Sequence, residues 1–228
     1  MRAQVIRYPA GKRRSFSRIP TVFGKPWTKR IVTVGSGREY ATLAAAVAVI
    51  AEPALYLITP GNYTSAAVTN FYYEAVIRGL GVTQDDVTIS TGNSHAWLTA
   101  IGDTNTIVFE NLKHQCDYTG WNEAVDCYSG NIFFNRCSLL STSLSSLISG
   151  AGSGTYCSNI VVTNCYLSKG YTHIDHLNLS RIDLIKVQCN TTLDASWANS
   201  GSLRTNDCVT SATSGYGPTY GSWIVEGV

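Results

Sequence analysis

Apolar and polar residues alternate over short stretches that recur along this chain. Five seven-residue segments show it: TIVFENL (Thr106–Leu112), NIFFNRC (Asn131–Cys137), NIVVTNC (Asn159–Cys165), RIDLIKV (Arg181–Val187) and SLRTNDC (Ser202–Cys208). Apolar residues fall two apart, as at Ile107 and Phe109 or Ile160 and Val162. That is the period of a strand with one buried face. With Ile107, Ile132, Ile160, Ile182 and Leu203 as markers, the copies begin 25, 28, 22 and 21 residues apart. Between them lie second short segments, EAVDCYSG, LSSLISGAG, THIDHLNLS and DASWANSGS, punctuated by glycine, serine and asparagine. Strands and turns at such a period, with no helix between, predict a solenoid of stacked β-coils. Successive coils then pair at about 4.8 Å, and like residues fill the interior in columns.

Two columns can be named in advance. Cys137, Cys165 and Cys208 hold the same place in their copies, which predicts a stack of small buried thiols acting as hydrophobes. The seven cysteines are odd in number and never spaced C-x-x-C, which argues against a disulfide framework or a zinc site. Asn111 and Asn164 share another position, with Arg136 and Lys186 in the copies between and after. An asparagine stack at a coil corner is expected there.

A stacked column has open ends that need covering. REYATLAAAVAVIA (Arg38–Ala51) is alanine-rich, sets Leu43, Val47 and Ile50 on one helical face, and stops before Pro53; it reads as a capping helix. RIVTVGSG before it, and ALYLITPGNYT and EAVIRGLG after it, read as strand–turn units. The aromatic, turn-rich end of the chain is expected to fold over the last coil. The division expected is an extended arm over 1–30 and an all-β column over 31–228, with the helix at 38–51, repeat coils at 106–213 and a terminal cap at 214–228.

Charge changes the picture at the front of the chain. Charged residues are 14% of the total, well under the usual quarter. Arg2, Arg7, Lys12, Arg13, Arg14, Arg18, Lys25, Lys29 and Arg30 occupy the first 30 residues with no acid among them, so the remainder carries 8 basic against 15 acidic residues. Pro9, Pro20 and Pro26 break any continuous helix in this basic stretch. They also argue against a mitochondrial transit peptide. Such an arm suits an acidic protein surface or a nucleic acid. No apolar run follows the first basic residues and none is long enough to span a bilayer, so neither a secretory signal nor a membrane anchor is expected.

The entry segment carries a resemblance. IVTVGSG, then YATLAAAVAVIA, ALYLITPGNYT and AVIRGLG, is similar to the opening of right-handed parallel β-helix proteins of the pectin-lyase-like superfamily, among them pectin methylesterases and phage tailspikes. The likeness runs over about residues 31–210. It implies a single-stranded right-handed parallel β-helix, and leaves function to the site. The superfamily's catalytic motifs are not matched. After PGNY, Thr64 and Ser65 stand where a methylesterase carries Y-x-E, and its paired aspartates and glutamines are missing. Asp85–Asp86 stands without the other polygalacturonase elements, and adjacent aspartates on a strand would face opposite ways. THIDH (Thr172–His176) resembles the W-I-D-H element of pectate lyases with His173 for the tryptophan, but the arginine element has no counterpart.

If the chain is an enzyme, His173, Asp175 and His176 are its candidates, with Asp126 or Asp183 approaching from neighbouring coils. A histidine beside carboxylates can do acid–base work or hold calcium; the competing reading is an outward polar face. Trp97, Trp121 and Trp197 can stack on sugars or simply pack loops. Asn62, Asn178 and Asn190 are glycosylation acceptors only in a secreted protein. The expectation is a non-enzymatic virion structural protein of a bacteriophage, made in the host cytoplasm. It would be a capsid decoration or cement protein, or a neck or tail spike. It needs no cofactor or metal, forms a homotrimer, and is held to capsid or other virion proteins by the basic arm. The alternative is a small carbohydrate-active or glycan-binding β-helix. Nucleic acid on the arm is a third reading and not the expected one.

Overall fold

The computed structural model describes residues 21–22, 25–64, 69–90, 98–100, 106–116, 125–127, 130–141, 148–149, 158–168, 172–175, 181–194, 202–206, 208–212 and 222–225. The fold is a parallel β-helix in which each coil contributes a strand to each of up to three sheets. The first sheet stacks Arg30–Val34, Ala54–Ile58, Ala75–Gly79, Thr106–Glu110, Gly130–Asn135, Ser158–Thr163, Arg181–Ile185, Ser202–Asn206 and Ser222–Val225, each parallel to the next. The second stacks Gly61–Thr64, Val87–Ser90, Lys113–Cys116, Ser138–Ser141, Tyr166–Ser168, Gln188–Asp194 and Val209–Ala212. The third stacks Thr69–Phe71, Leu98–Ala100, Val125–Cys127, Ile148–Ser149 and Thr172–Asp175, and it joins the second where Thr172–Asp175 pairs with Gln188–Asp194.

The five marker residues align. Ile107 pairs with Ile132, Ile132 with Ile160, Ile160 with Ile182 and Ile182 with Leu203. The next inward position runs Val32, Tyr56, Ile77, Phe109, Phe134, Val162, Leu184, and these side chains are buried in one continuous core. Phe109 and Phe134 stack with ring centroids 5.1 Å apart. The stack begins earlier than residue 106, because Arg30–Val34, Ala54–Ile58 and Ala75–Gly79 already belong to the first sheet. At the far end, where a cap was expected, Ser222–Val225 pairs in parallel with Ser202–Asn206 and adds another rung.

A coil also has more parts than two. From residue 106 onward only two residues, such as Asn111–Leu112 or Arg136–Cys137, separate the first strand from the second. The bend between them is made by one residue in the left-handed region: Asn111, Arg136, Asn164 and Lys186 have φ of 54°, 54°, 53° and 54°. Each donates its backbone N–H to a carbonyl of the following coil, Asn111 to Asn135 at 3.1 Å and Arg136 to Thr163 at 3.2 Å. The asparagines therefore sit at a coil corner as expected, because asparagine tolerates this conformation better than other non-glycine residues. Their amides do not form one ladder. Asn111 reaches the carbonyls of Gly79 and Gly81 at 3.2 and 2.9 Å, and Asn164 reaches the side chains of Asn135 and Thr163.

The capping helix is Leu43–Val49, shorter than the 38–51 expected. Thr42 is its N-cap, its hydroxyl accepting the Ala45 N–H at 3.2 Å. Leu43, Ala46 and Ile50 close the interior of the first coil. The entry motif acquires a reason as well. The Tyr63 hydroxyl donates to the Thr59 carbonyl at 2.8 Å and, with the Thr59 side chain, fills the space beside Gly35, where an added Cβ would lie 2.0 Å from Thr59 Oγ1. Asp85–Asp86 lies in a single 3₁₀ turn, Gln84–Asp86, not on a strand; the face argument made for a strand does not apply.

Candidate functional site

The outward face of the first sheet holds the described residues best placed to meet a partner. One outward column runs Ile31, Leu55, Val76, Val108, Phe133, Val161 and then turns polar at Asp183. Its beginning is covered by the chain itself. Trp27, only 7% exposed, packs with Leu55, Leu57, Val76 and Val108 in a second apolar cluster outside the column. The Trp27 indole N–H donates to the Arg30 carbonyl at 3.1 Å.

Beyond Trp27 the stripe opens into a groove of about 720 Å³. Val108 and Phe133 line it, Arg78 and Glu110 stand beside them, and Asn135 and Arg136 form part of the far side. Arg78 and Glu110 are register partners on adjacent strands. Their side chains make two contacts, Nε to Oε2 at 2.6 Å and Nη2 to Oε2, with the pair about four-fifths buried. A charge-assisted pair of this kind is shielded from salt more than an exposed one.

The near wall is the segment from Gly79 to Asp86. Gly79 must lack a side chain, since a Cβ would lie 2.0 Å from the Asn111 carbonyl oxygen. The Asn111 amide ties this segment down. The Thr83 N–H donates to Asp86 Oδ2 at 2.9 Å, and this backbone donation holds the Asp86 carboxyl below its ordinary pKa. Gln84 bridges to the Ser138 hydroxyl in the second sheet at 3.0 Å. Val82 projects at the groove's edge, 90% exposed.

The expected site residues fall elsewhere. His173 and Asp175 lie on Thr172–Asp175 in the third sheet, not beside this groove. Asp175 pairs with Ser149 and Ser149 with Asp126, so Asp126 is two rungs away, about 10 Å. Asp183 is on the first sheet and does not join them. His176, Trp97, Trp121 and Trp197 lie outside the described residues, as do Arg2, Arg7, Lys12, Arg13, Arg14 and Arg18. Lys29 and Arg30 are engaged within the chain, Lys29 with Glu74 and Arg30 with Glu39. Lys29 also lies over the Trp27 ring, 5.4 Å from its centroid. Among the described residues, no cluster of His, Cys, Asp and Glu is arranged to hold a metal, and no helix is long and apolar enough to cross a membrane.

One titratable group was not singled out by pattern. His114 is fully buried in the second sheet, in register with Ile89 and Leu139, with the rings of Phe109 and Phe134 packed edge-on at 4.8 and 5.5 Å. Burial disfavours the imidazolium and pushes its pKa down to about 3. The signal was present in KHQC, where alternation turns His114 inward, but it is readable only once that segment is recognised as a strand.

No protein-family model matches this chain, and no curated protein matches it in sequence. Its backbone resembles two solved structures. Pectin methylesterase from carrot superposes with a TM-score of 0.50 at 15% identity, over 77% of this chain and 62% of that one. Escherichia coli YbhC superposes with a TM-score of 0.55 at 14% identity, over 89% and 70%. The chain thus spans less than two thirds of the carrot enzyme's length. At such identities the likeness is one of fold alone, and with the register above it makes this chain a parallel β-helix.

Proposed function

We propose that this chain is a non-enzymatic structural protein of a bacteriophage particle: a short β-helix that decorates or cements the capsid, or sits at the neck or tail. Its basic arm holds it to acidic virion protein. One observation carries this reading. The root of the arm is built into the column, with Trp27 buried under it, Lys29 and Arg30 paired to its carboxylates, and Arg30 already in the first strand. A cationic segment mounted so firmly can transmit load to a rigid body. A homotrimer assembled in the host cytoplasm is part of the proposal. Deleting residues 1–20 tests it, because that leaves Trp27 in place. The truncated protein is expected to stay folded and to lose its association with the particle. Retained loading would defeat the anchor.

A second reading, glycan binding, is favoured by the groove, where Phe133 offers an aromatic surface flanked by amides and an ion pair. Incubation with acidic and neutral polysaccharides, read by a reducing-end assay and by binding, tests it. Cleavage abolished by His173→Ala would replace the structural reading with an enzymatic one.

A further inference from the structure

Inside the column, two cysteines meet across adjacent coils. Cys137 is fully buried and Cys165 is 4% exposed, and both are free thiols. They hold the same place after the left-handed corner residue: Arg136 precedes Cys137, and Asn164 precedes Cys165. The Cys137 backbone N–H donates to Cys165 Sγ at 3.3 Å. The rungs are locked in register around them, since Arg136 N–H bonds Thr163 and Tyr166 N–H bonds the Cys137 carbonyl. Adjacent rungs lie about 4.8 Å apart, within the Cα separation a disulfide spans. Cys208 continues the column only after Val187, so it is not the neighbour of Cys165.

We infer that Cys137 and Cys165 form a peroxide-sensitive pair whose oxidation staples two adjacent coils together. Cys165 is the attacking sulfur and Cys137 the resolving one. The two thiols are polarised in that sense. The Cys137 backbone N–H donates to Cys165 Sγ, and contact with Cys137 holds the Cys165 pKa below the ordinary value, while burial pushes Cys137 well up; the Cys137 thiol itself faces the Phe109 and Asn135 carbonyls at 3.5 Å. A backbone N–H aimed at a sulfur favours its thiolate form, and the Cys165 thiol otherwise donates to the Thr163 carbonyl at 3.1 Å. In the first step the Cys165 thiolate attacks one oxygen of the peroxide. An S–O bond forms, the O–O bond breaks, and the departing hydroxide takes up the proton Cys165 gave, leaving as water. In the second step the Cys137 sulfur attacks the sulfenic sulfur. The S–S bond forms, the S–O bond breaks, and hydroxide leaves with the Cys137 proton as a second water. One peroxide and two thiols give one disulfide and two waters.

The test uses the full chain treated with hydrogen peroxide, denatured, alkylated and mapped by mass spectrometry without reduction. The expected product is a cross-link between the peptides carrying Cys137 and Cys165, with Cys208 still alkylated. The oxidised protein should melt several degrees higher, and a thiol reductant should reverse the shift. In Cys137→Ser, a dimedone adduct on Cys165 is expected in place of the cross-link. A cross-link to a different cysteine, or full alkylation of Cys137 and Cys165 after peroxide, overturns the inference in the unmodified chain, whatever the variant does. So does dimedone labelling of Cys137 in a Cys165→Ser protein at the rate seen for Cys165.

Discussion

Phe133 and Phe134 are neighbours in one strand and belong to two different proteins in effect. Phe134 points into the column, is fully buried, and stacks on Phe109. Phe133 points outward and lines the groove. The inner face repeats, with Ile107, Ile132 and Ile160 in direct register and buried. The outer face drifts, from Leu55 and Val76 through Phe133 to Asp183. Repetition inside specifies shape; variation outside is where recognition can be placed.

The sharpest way to break this comparison is to truncate each ring. Phe134→Ala should cost about 3–5 kcal/mol, because it removes a stacked ring and leaves a cavity. Phe133→Ala should cost about 1 kcal/mol or less, and its effect should appear in partner or glycan binding. Chemical denaturation of the two variants checks this, and equal losses would erase the distinction between faces. Trp27→Ala comes next. It uncovers Leu55, Leu57, Val76 and Val108 and should cost about 2–3 kcal/mol, with increased self-association seen by light scattering.

The inner face should also respond to pH in a way the outer face does not. His114 has its folded pKa lowered to about 3 from an ordinary 6.5. The unfolded chain therefore binds the extra proton first as pH falls, and stability is full above about 6.5 and is lost progressively down to about 3. By pH 5 the loss from this group should be about 2 kcal/mol. Comparing wild type with His114→Leu in urea at pH 7 and pH 5 isolates it, since the variant should lack that part of the slope. The smallest effect is at the corners. Arg136 holds a left-handed conformation that asparagine adopts more readily. Arg136→Asn should raise stability by about 0.5–1 kcal/mol in thermal melts, leaving the inner columns untouched.

Much of the fold was legible because a strand's inward alternation is a local property. The Ile107 series, the thiols at Cys137 and Cys165, and the corner at Asn111 and Asn164 all stand at equal places in the text and in space. The second sheet was not legible. From residue 106 onward its strands follow the first after two residues, and at Asn111, Arg136, Asn164 and Lys186 a single left-handed residue turns the chain with no glycine or proline to mark the bend. Asp85–Asp86 was misread for a related reason: a short polar turn between two strands has no period of its own. The groove was not legible either, since Arg78, Glu110 and Arg136 come from three coils and meet only when those coils are stacked.

The sequence by itself determined that this is a stacked parallel column with a capped beginning and a cationic lead, because burial periodicity, repeat spacing and charge are properties of short stretches. Only the tertiary structure decided which outward residues become neighbours. That depends on register across coils of unequal length, summed from every loop between them. It also decided that Trp27 folds back onto the sheet and that His114 and the paired thiols are shut inside, since a side chain's environment is made by residues far away in the chain.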